Sequence, residues 1–295
     1  MNRPAETPLI LGGHSFISQL GNDRAASEEE QLRIVQSCLE NGVRWFDTTY
    51  QPERVALGKA LDVLRKRSEA TILAWNFFTN FSAVDPVTGA DYYRAEHIEM
   101  ILDELHTSYV DCLVMLPLDN PAENQRQEKL LVEWQRKGYV RFLGLWISDP
   151  QLGVIRHRKP FRFAIRPFNI RTPNASSTFA AYKRLGWETI ATSPFVRGWE
   201  LDRSIAKASL RGYGDVEGLR PKLADLMLRF SLFHSNADRV IVAMRKLEWV
   251  SANVASVSKG ALTRDELLWL DSLCRVSSNT LWNRVRRVLC PLHKV

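Results

Sequence analysis

The chain has 295 residues, 45% of them hydrophobic and 25% charged, enough to bury the core of one large domain. Its net charge of +7 is spread over 33.8 kDa, and the basic cluster Arg284, Arg286 and Arg287 lacks interleaved aromatic residues, so nucleic-acid binding is not expected. No charged leader precedes a long apolar run, no window approaches the ~20 apolar residues of a membrane helix, and Cys38, Cys112, Cys274 and Cys290 are scattered; a cytoplasmic protein without membrane contact, zinc site or disulfide framework is expected.

Apolar runs of strand length alternate with helix-period segments from end to end, the pattern of repeated βα units around a parallel sheet. The predicted strands are Pro8 to Leu11, Val43 to Thr48, Ala70 to Trp75, Tyr109 to Leu116, Val140 to Leu145, Arg162 to Arg166, Glu188 to Thr192 and Arg239 to Val242. Several are near-continuous apolar runs, as strands covered on both faces should be. Among the helices, Ser27-x-x-Glu30 and Thr263-x-x-Glu266 read as capping boxes, and Asn41-Gly42, Lys137-Gly138 and Leu185-Gly186 as C-terminal stops. Beyond the last strand, Thr263 to Arg275 and Asn279 to Leu289 read as helices packed outside. Phe77 to Tyr92, and Phe195 to Leu219 with Gly198, Gly212, Gly214 and Gly218, are too long for simple turns and read as loops. The fold predicted is an α/β TIM barrel, (β/α)8, in one domain over residues 1–295, with extra C-terminal helices. Its chemistry would sit at the C-terminal strand ends, where the two long loops would cover the mouth.

Asp47 closes the second strand, Tyr50 follows it, and a helix begins near Glu53 and runs into Leu57-Gly58-Lys59-Ala60-Leu61. Further along come Tyr109-Val110-Asp111, Gly138-Tyr139-Val140-Arg141-Phe142-Leu143-Gly144, Ser193-Pro194-Phe195 and the stretch from Val250 to Asn253. In this order and spacing the motifs resemble those of the aldo-keto reductase superfamily. The resemblance implies carbonyl reduction by a Tyr that protonates the substrate, a Lys that lowers its pKa, an Asp paired with the Lys, and a His that orients the substrate. Asp47 and Tyr50 match two of these, with Tyr50 three residues after Asp47 where the family usually has five. Asn76 aligns with the Lys and Leu116 with the His. Trp146-Ile147 replace the Ser-Asn pair that holds the nicotinamide carboxamide, Ile165 the Gln, and Thr192 the ring-stacking aromatic. At the nucleotide-phosphate positions stand Ala243, Met244, Trp249 and Ala252-Asn253, with Arg245 and Lys246 beside them.

A neutral amide cannot depress a tyrosine pKa, and loss of the carboxamide donors and the stacking ring removes positioning, so hydride transfer is not expected. The first expectation is a cofactor-independent enzyme of aldo-keto reductase fold, performing elimination, isomerisation or cyclisation on a small organic molecule, with neither cofactor nor metal. Its catalytic candidates are Asp47, Tyr50 and His14, the last in Gly12-Gly13-His14 after strand one. An aspartate without its lysine in apolar surroundings would have a raised pKa, suited to acid/base work. Substrate contacts are expected from Asn76, Trp75, Trp146, Arg166, Asn169 and Arg197. Two other readings are open: a non-catalytic regulatory subunit, engaging a protein partner or a second copy of the chain, and a divergent NADP-dependent carbonyl oxidoreductase whose register is misassigned.

Overall fold

All eight predicted strands are present in the computed structural model, which describes residues 4–18, 24–78, 89–147, 159–196 and 198–274. In chain order they are β1 (Leu9–Leu11), β2 (Trp45–Thr48), β3 (Thr71–Trp75), β4 (Val110–Met115), β5 (Val140–Trp146), β6 (Phe163–Pro167), β7 (Glu188–Thr192) and β8 (Arg239–Val242). Each pairs in parallel with the next, and β8 pairs with β1, so the sheet closes into a barrel with no free edge. The helices are α1 (Glu28–Glu40), α2 (Gln51–Leu64), α3 (His97–Glu104), α4 (Pro121–Arg136), α5 (Ala175–Arg184), α6 (Trp199–Leu210), α7 (Val216–Phe233), α8 (Leu247–Ser258) and α9 (Arg264–Cys274).

Strand residues alternate between two cores. Ile10, Trp45, Leu73, Trp75, Ile165 and Ile190 fill the barrel interior, while Leu11, Phe46, Ile72, Ala74, Ala164 and Ala191 pack outward under the helices. Both capping boxes form. Glu30 N donates to Ser27 Oγ at 3.3 Å and Ser27 N to Glu30 Oε2 at 2.8 Å, and Thr263 and Glu266 reciprocate at 2.8 and 3.2 Å. At the predicted helix stops Gly42, Gly138 and Gly186 have φ of 80°, 84° and 82°, the left-handed region that glycine enters without a Cβ clash.

Two motifs meet at the N-terminal end of the barrel. The carboxylate of Asp111 accepts from Arg67 at 3.0 Å, from Arg141 at 2.9 Å and from the amide of Ile72 at 3.0 Å. Both guanidinium groups also lie over the Tyr109 ring, at 4.2 and 3.9 Å from its centroid. Tyr109-Val110-Asp111 and the Arg141 of the glycine-led segment are therefore one brace tying β3, β4 and β5 together. A third motif has an equally local cause. A Cβ on Gly58 would lie 2.5 Å from the carbonyl oxygen of Glu104, so only glycine lets α2 approach the end of α3 this closely.

One predicted loop is a pair of helix segments. Phe195 to Leu219 contains all of α6 and the start of α7. Its glycines punctuate helices: Gly198, at φ 86°, is the residue before α6, and Gly212, at φ 72°, follows it. Leu201, Ile205 and Ala208 are buried along one face of α6 with the helical spacing that marks a core-facing stripe. Thr263 to Arg275 corresponds to α9, whereas the predicted helix Asn279 to Leu289, the arginine cluster within it, and most of the stretch Phe77 to Tyr92 lie outside the described residues. No helix among the described residues is long and apolar enough to cross a membrane.

Candidate active site

Asp47 stands at the C-terminal end of β2, on the inward face it shares with Trp45, and is 5% exposed. Its neighbour in the barrel wall is Trp75, whose indole Nε1 donates to Asp47 Oδ1 at 2.6 Å. That pairing follows from register. Asp47 lies beside Leu73, and Trp75 is the next residue of β3 on the same face. Burial pushes the Asp47 carboxyl up to about 7. The Trp75 hydrogen bond, the field of His14 and the Gly13 amide oppose the shift, and the charge of Glu53 adds to it.

Glu53 sits in the first turn of α2 with a fully buried side chain and reaches back to the residues that precede the helix. Its Oε2 accepts from the amides of Thr49 at 2.6 Å and Tyr50 at 3.4 Å, capping the helix start. Its Oε1, buried and without an aligned hydrogen-bond donor among the described residues, lies at ion-pair distance, 3.1 Å, from Nδ1 of His14, which is carried on the short turn Gly13–Ser15 after β1. The Tyr50 ring, buried to 3% exposure, stands between His14 and Phe77, with centroids 5.9 and 5.4 Å away. Trp146, at the end of β5, packs edge-on against Trp75 at 5.8 Å. The mouth thus gathers His14, Asp47, Tyr50, Trp75 and Trp146 over β1, β2, β3 and β5.

The other expected contacts are engaged elsewhere. Asn76 gives its amide to the backbone: Nδ2 donates to the carbonyls of Asp91 and Leu116 at 2.9 and 3.0 Å, and Oδ1 accepts from the Leu116 amide at 2.8 Å. It stitches the end of β3 to the end of β4. Arg166 follows the inward Ile165 and so faces out, reaching Thr178 of α5 at 3.4 Å. Asn169 braces its own loop, accepting from the amides of Arg171 and Thr172 and donating to the Ser193 carbonyl at 3.0 Å. Arg197 lies outside the described residues.

Three residues gain importance that sequence reasoning did not give them. Glu53 entered only as part of a helix-start motif, although its position in the first turn of α2 announced a side chain turned back toward the mouth. Trp75, expected only to touch substrate, is also the hydrogen-bond donor to Asp47, a link legible from strand alternation. Thr192, at the inward end of β7, has a buried hydroxyl without a hydrogen-bond partner among the described residues. At the other side of the mouth, Lys246 precedes α8, whose first turn receives no side-chain cap. Among the described residues no cluster of His, Cys, Asp or Glu is placed to hold a metal ion.

The comparisons with known proteins bear on what this mouth accommodates. The aldo-keto reductase AKR11C1 of Bacillus halodurans, in its holo form, is 18% identical, with TM-score 0.66 over 92% of this chain and 94% of its own. An aldo/keto reductase of Klebsiella pneumoniae in complex with NADP and acetate is 17% identical, with TM-score 0.65 over 91% and 92%. The glycerol dehydrogenase AKR11B4 of Gluconobacter oxydans is 16% identical, with TM-score 0.67 over 95% and 98%. No curated protein matches by sequence. With neighbours bound to NADP and a family of reductases, the expectation of a cofactor-independent lyase or isomerase, and of no cofactor, is overturned. That expectation rested on the joint replacement of the lysine, the histidine, the carboxamide donors and the stacking ring, with Asn76 at the lysine position. The Asn76 amide is spent between strand ends, and Asp47 draws its donor from Trp75. The Aldo/keto reductase family model matches residues 8–204, about two thirds of the length, and the chain belongs to that family.

Proposed function

We propose that this protein is an NADP-dependent oxidoreductase that interconverts a carbonyl compound and its alcohol at the barrel mouth. The observation that carries the reading is the buried Asp47 carboxyl, held near pH 7 at the C-terminal end of β2 in a chain of this family. The residues present fit the nucleotide at both ends. The first turn of α8, which receives no side-chain cap, suits a phosphate through the positive end of the helix dipole and the adjacent Lys246. The Thr192 hydroxyl, without a hydrogen-bond partner among the described residues, suits the polar edge of the nicotinamide. When bound, NADPH supplies the hydride that the carbonyl carbon accepts.

The chain's own residues supply the matching proton. A tyrosine hydroxyl, ordinarily near pKa 10, is a poor donor at neutral pH without a neighbouring cation, whereas a carboxylic acid near 7 is well matched. Asp47 delivers its proton to the carbonyl oxygen as that oxygen gains charge, and it takes a proton back from solvent. Trp75 holds the carboxyl in place through Oδ1. Tyr50 and His14 flank the substrate, and the edge-packed Trp75 and Trp146 form an apolar wall against which its carbon skeleton rests.

Turnover follows from this assignment as a function of pH. Reduction of a small aldehyde or ketone panel, followed as NADPH absorbance, should decline as pH rises through about 7, because protonated Asp47 is the reactive form. A rate that climbs steadily from pH 6 to 9 would remove Asp47 from the role of proton donor.

A further inference from the structure

Glu53 is fully buried beside a mouth whose proposed chemistry does not use it. Capping α2 occupies Oε2, and a cap alone would not require the second oxygen to meet a ring on another loop. The chain accommodates that meeting at a specific cost in sequence freedom. A Cβ on Gly13 would lie 2.2 Å from Glu53 Oε2 and 2.8 Å from the Asp47 carbonyl, so the residue before His14 must lack a side chain for the turn to rest against the carboxylate. Ser15 pins the same turn from the other side. Its hydroxyl donates to the Gly12 carbonyl at 2.7 Å and accepts from the Met244 amide at 2.8 Å. His14 is thereby fixed by β1, α2 and the segment after β8, yet its side chain keeps 30% of its surface exposed at the mouth.

We propose that Glu53 is a positioning residue, and that it holds His14 by Nδ1 so that Nε2 is presented to the substrate oxygen. The inference rests on the oxidoreductase reading for the identity of that oxygen, but the Glu53–His14 coupling stands on geometry alone. A carboxylate at Nδ1 fixes the ring's rotamer and tautomer and favours the imidazolium, which donates from Nε2. The leucine at position 116 offers no such donor from β4. Among the described residues, the charged groups seen to act on His14 include Glu53 from α2 and Asp47 from β2, with the Tyr50 ring beside it.

The test uses full-length protein with ¹⁵N-labelled histidine, in wild type, Glu53→Gln and His14→Gln. Glutamine at 53 keeps an oxygen for the Thr49 and Tyr50 amides, so α2 stays capped, and a urea midpoint confirms that the fold is retained. The His14 resonances, assigned by their loss in His14→Gln, should show Nδ1 protonated on both sides of the titration in wild type, with Nε2 the nitrogen that gains and loses the proton. In Glu53→Gln the midpoint of their titration should fall by roughly one pH unit as the paired charge is lost. In turnover, each single variant should raise KM for the carbonyl substrate about tenfold with NADPH affinity unchanged, and the double variant should be no worse than either. His14 resonances indifferent to Glu53→Gln, or kinetic effects that simply multiply in the double variant, would overturn the proposal. Absence of NADPH binding in wild type would instead defeat the oxidoreductase reading, and the His14 titration alone would then decide whether the coupling exists.

Discussion

Asp47→Asn is expected to stabilise the protein at pH 8 by on the order of 4 kcal/mol, and to remove NADPH-dependent turnover. The sign follows from linkage. The carboxyl titrates near 7 in the fold and near 3.8 when exposed, so the native state binds the proton more tightly. The stability that the neutral carboxyl contributes is complete below the unfolded pKa and is lost as pH rises to the folded one, at about 1.4 kcal/mol per unit. Above pH 7 the folded chain carries a buried charge offset mainly by the Trp75 indole. Asparagine keeps an oxygen for that donor and carries no charge. The gain should therefore grow between pH 5 and pH 8 and then level off, read as urea unfolding of the two proteins at each pH. A gain that does not change with pH would mean that Asp47 is ionised throughout, and would withdraw it as the proton source.

Asp111→Ala should have an effect of similar size and opposite sign, a loss of about 3 to 5 kcal/mol, because it strands groups that converge on one carboxylate. Arg67 is only 18% exposed and would be left beside the Tyr109 ring without its counter-ion, and the buried amide of Ile72 would have no acceptor. Urea unfolding at pH 7 measures this loss, and a change below ~1 kcal/mol would show that water replaces the carboxylate at that end of the barrel. Catalytic competence of the remaining folded protein should be untouched, since Asp111 lies at the opposite end from the mouth.

Asp111 also shows why the fold was so legible. The motifs that announce the family are largely its structural joints: Asp111, Arg141 and Tyr109 clamp three strands, and Gly58 permits a close helix approach. Strand positions read true to within one or two residues because strands buried on both faces are near-continuous apolar runs, and a barrel offers no edge strand to break that pattern. Helix ends were written in capping boxes and left-handed glycines. The segment from Phe195 misled because Gly198 and Gly212 were read as loop residues when they bound a helix.

The site was less legible, for reasons that differ residue by residue. His14, Asp47 and Tyr50 could be grouped because strand-end position alone brings residues to a barrel's mouth. Arg166 failed on parity, since its neighbour Ile165 points inward. Asn76 and Asn169 failed because a side-chain amide at a strand end serves backbone groups as readily as a ligand. Glu53 was hidden by its motif, for its first-turn position placed the side chain toward the mouth but did not say which loop its second oxygen would meet. The error over the cofactor had the same root. Replacements were judged against the family's own positions, whereas Asp47 draws its donor from Trp75, a residue outside that set.

The oxidoreductase reading of this mouth depends on its taking a nicotinamide nucleotide, and calorimetric titration of the purified protein with NADPH and NADP measures that binding itself. Saturable binding in the micromolar range is expected, weakened by Lys246→Glu at the first turn of α8. No heat at millimolar nucleotide, under conditions where a known aldo-keto reductase binds, would contradict it.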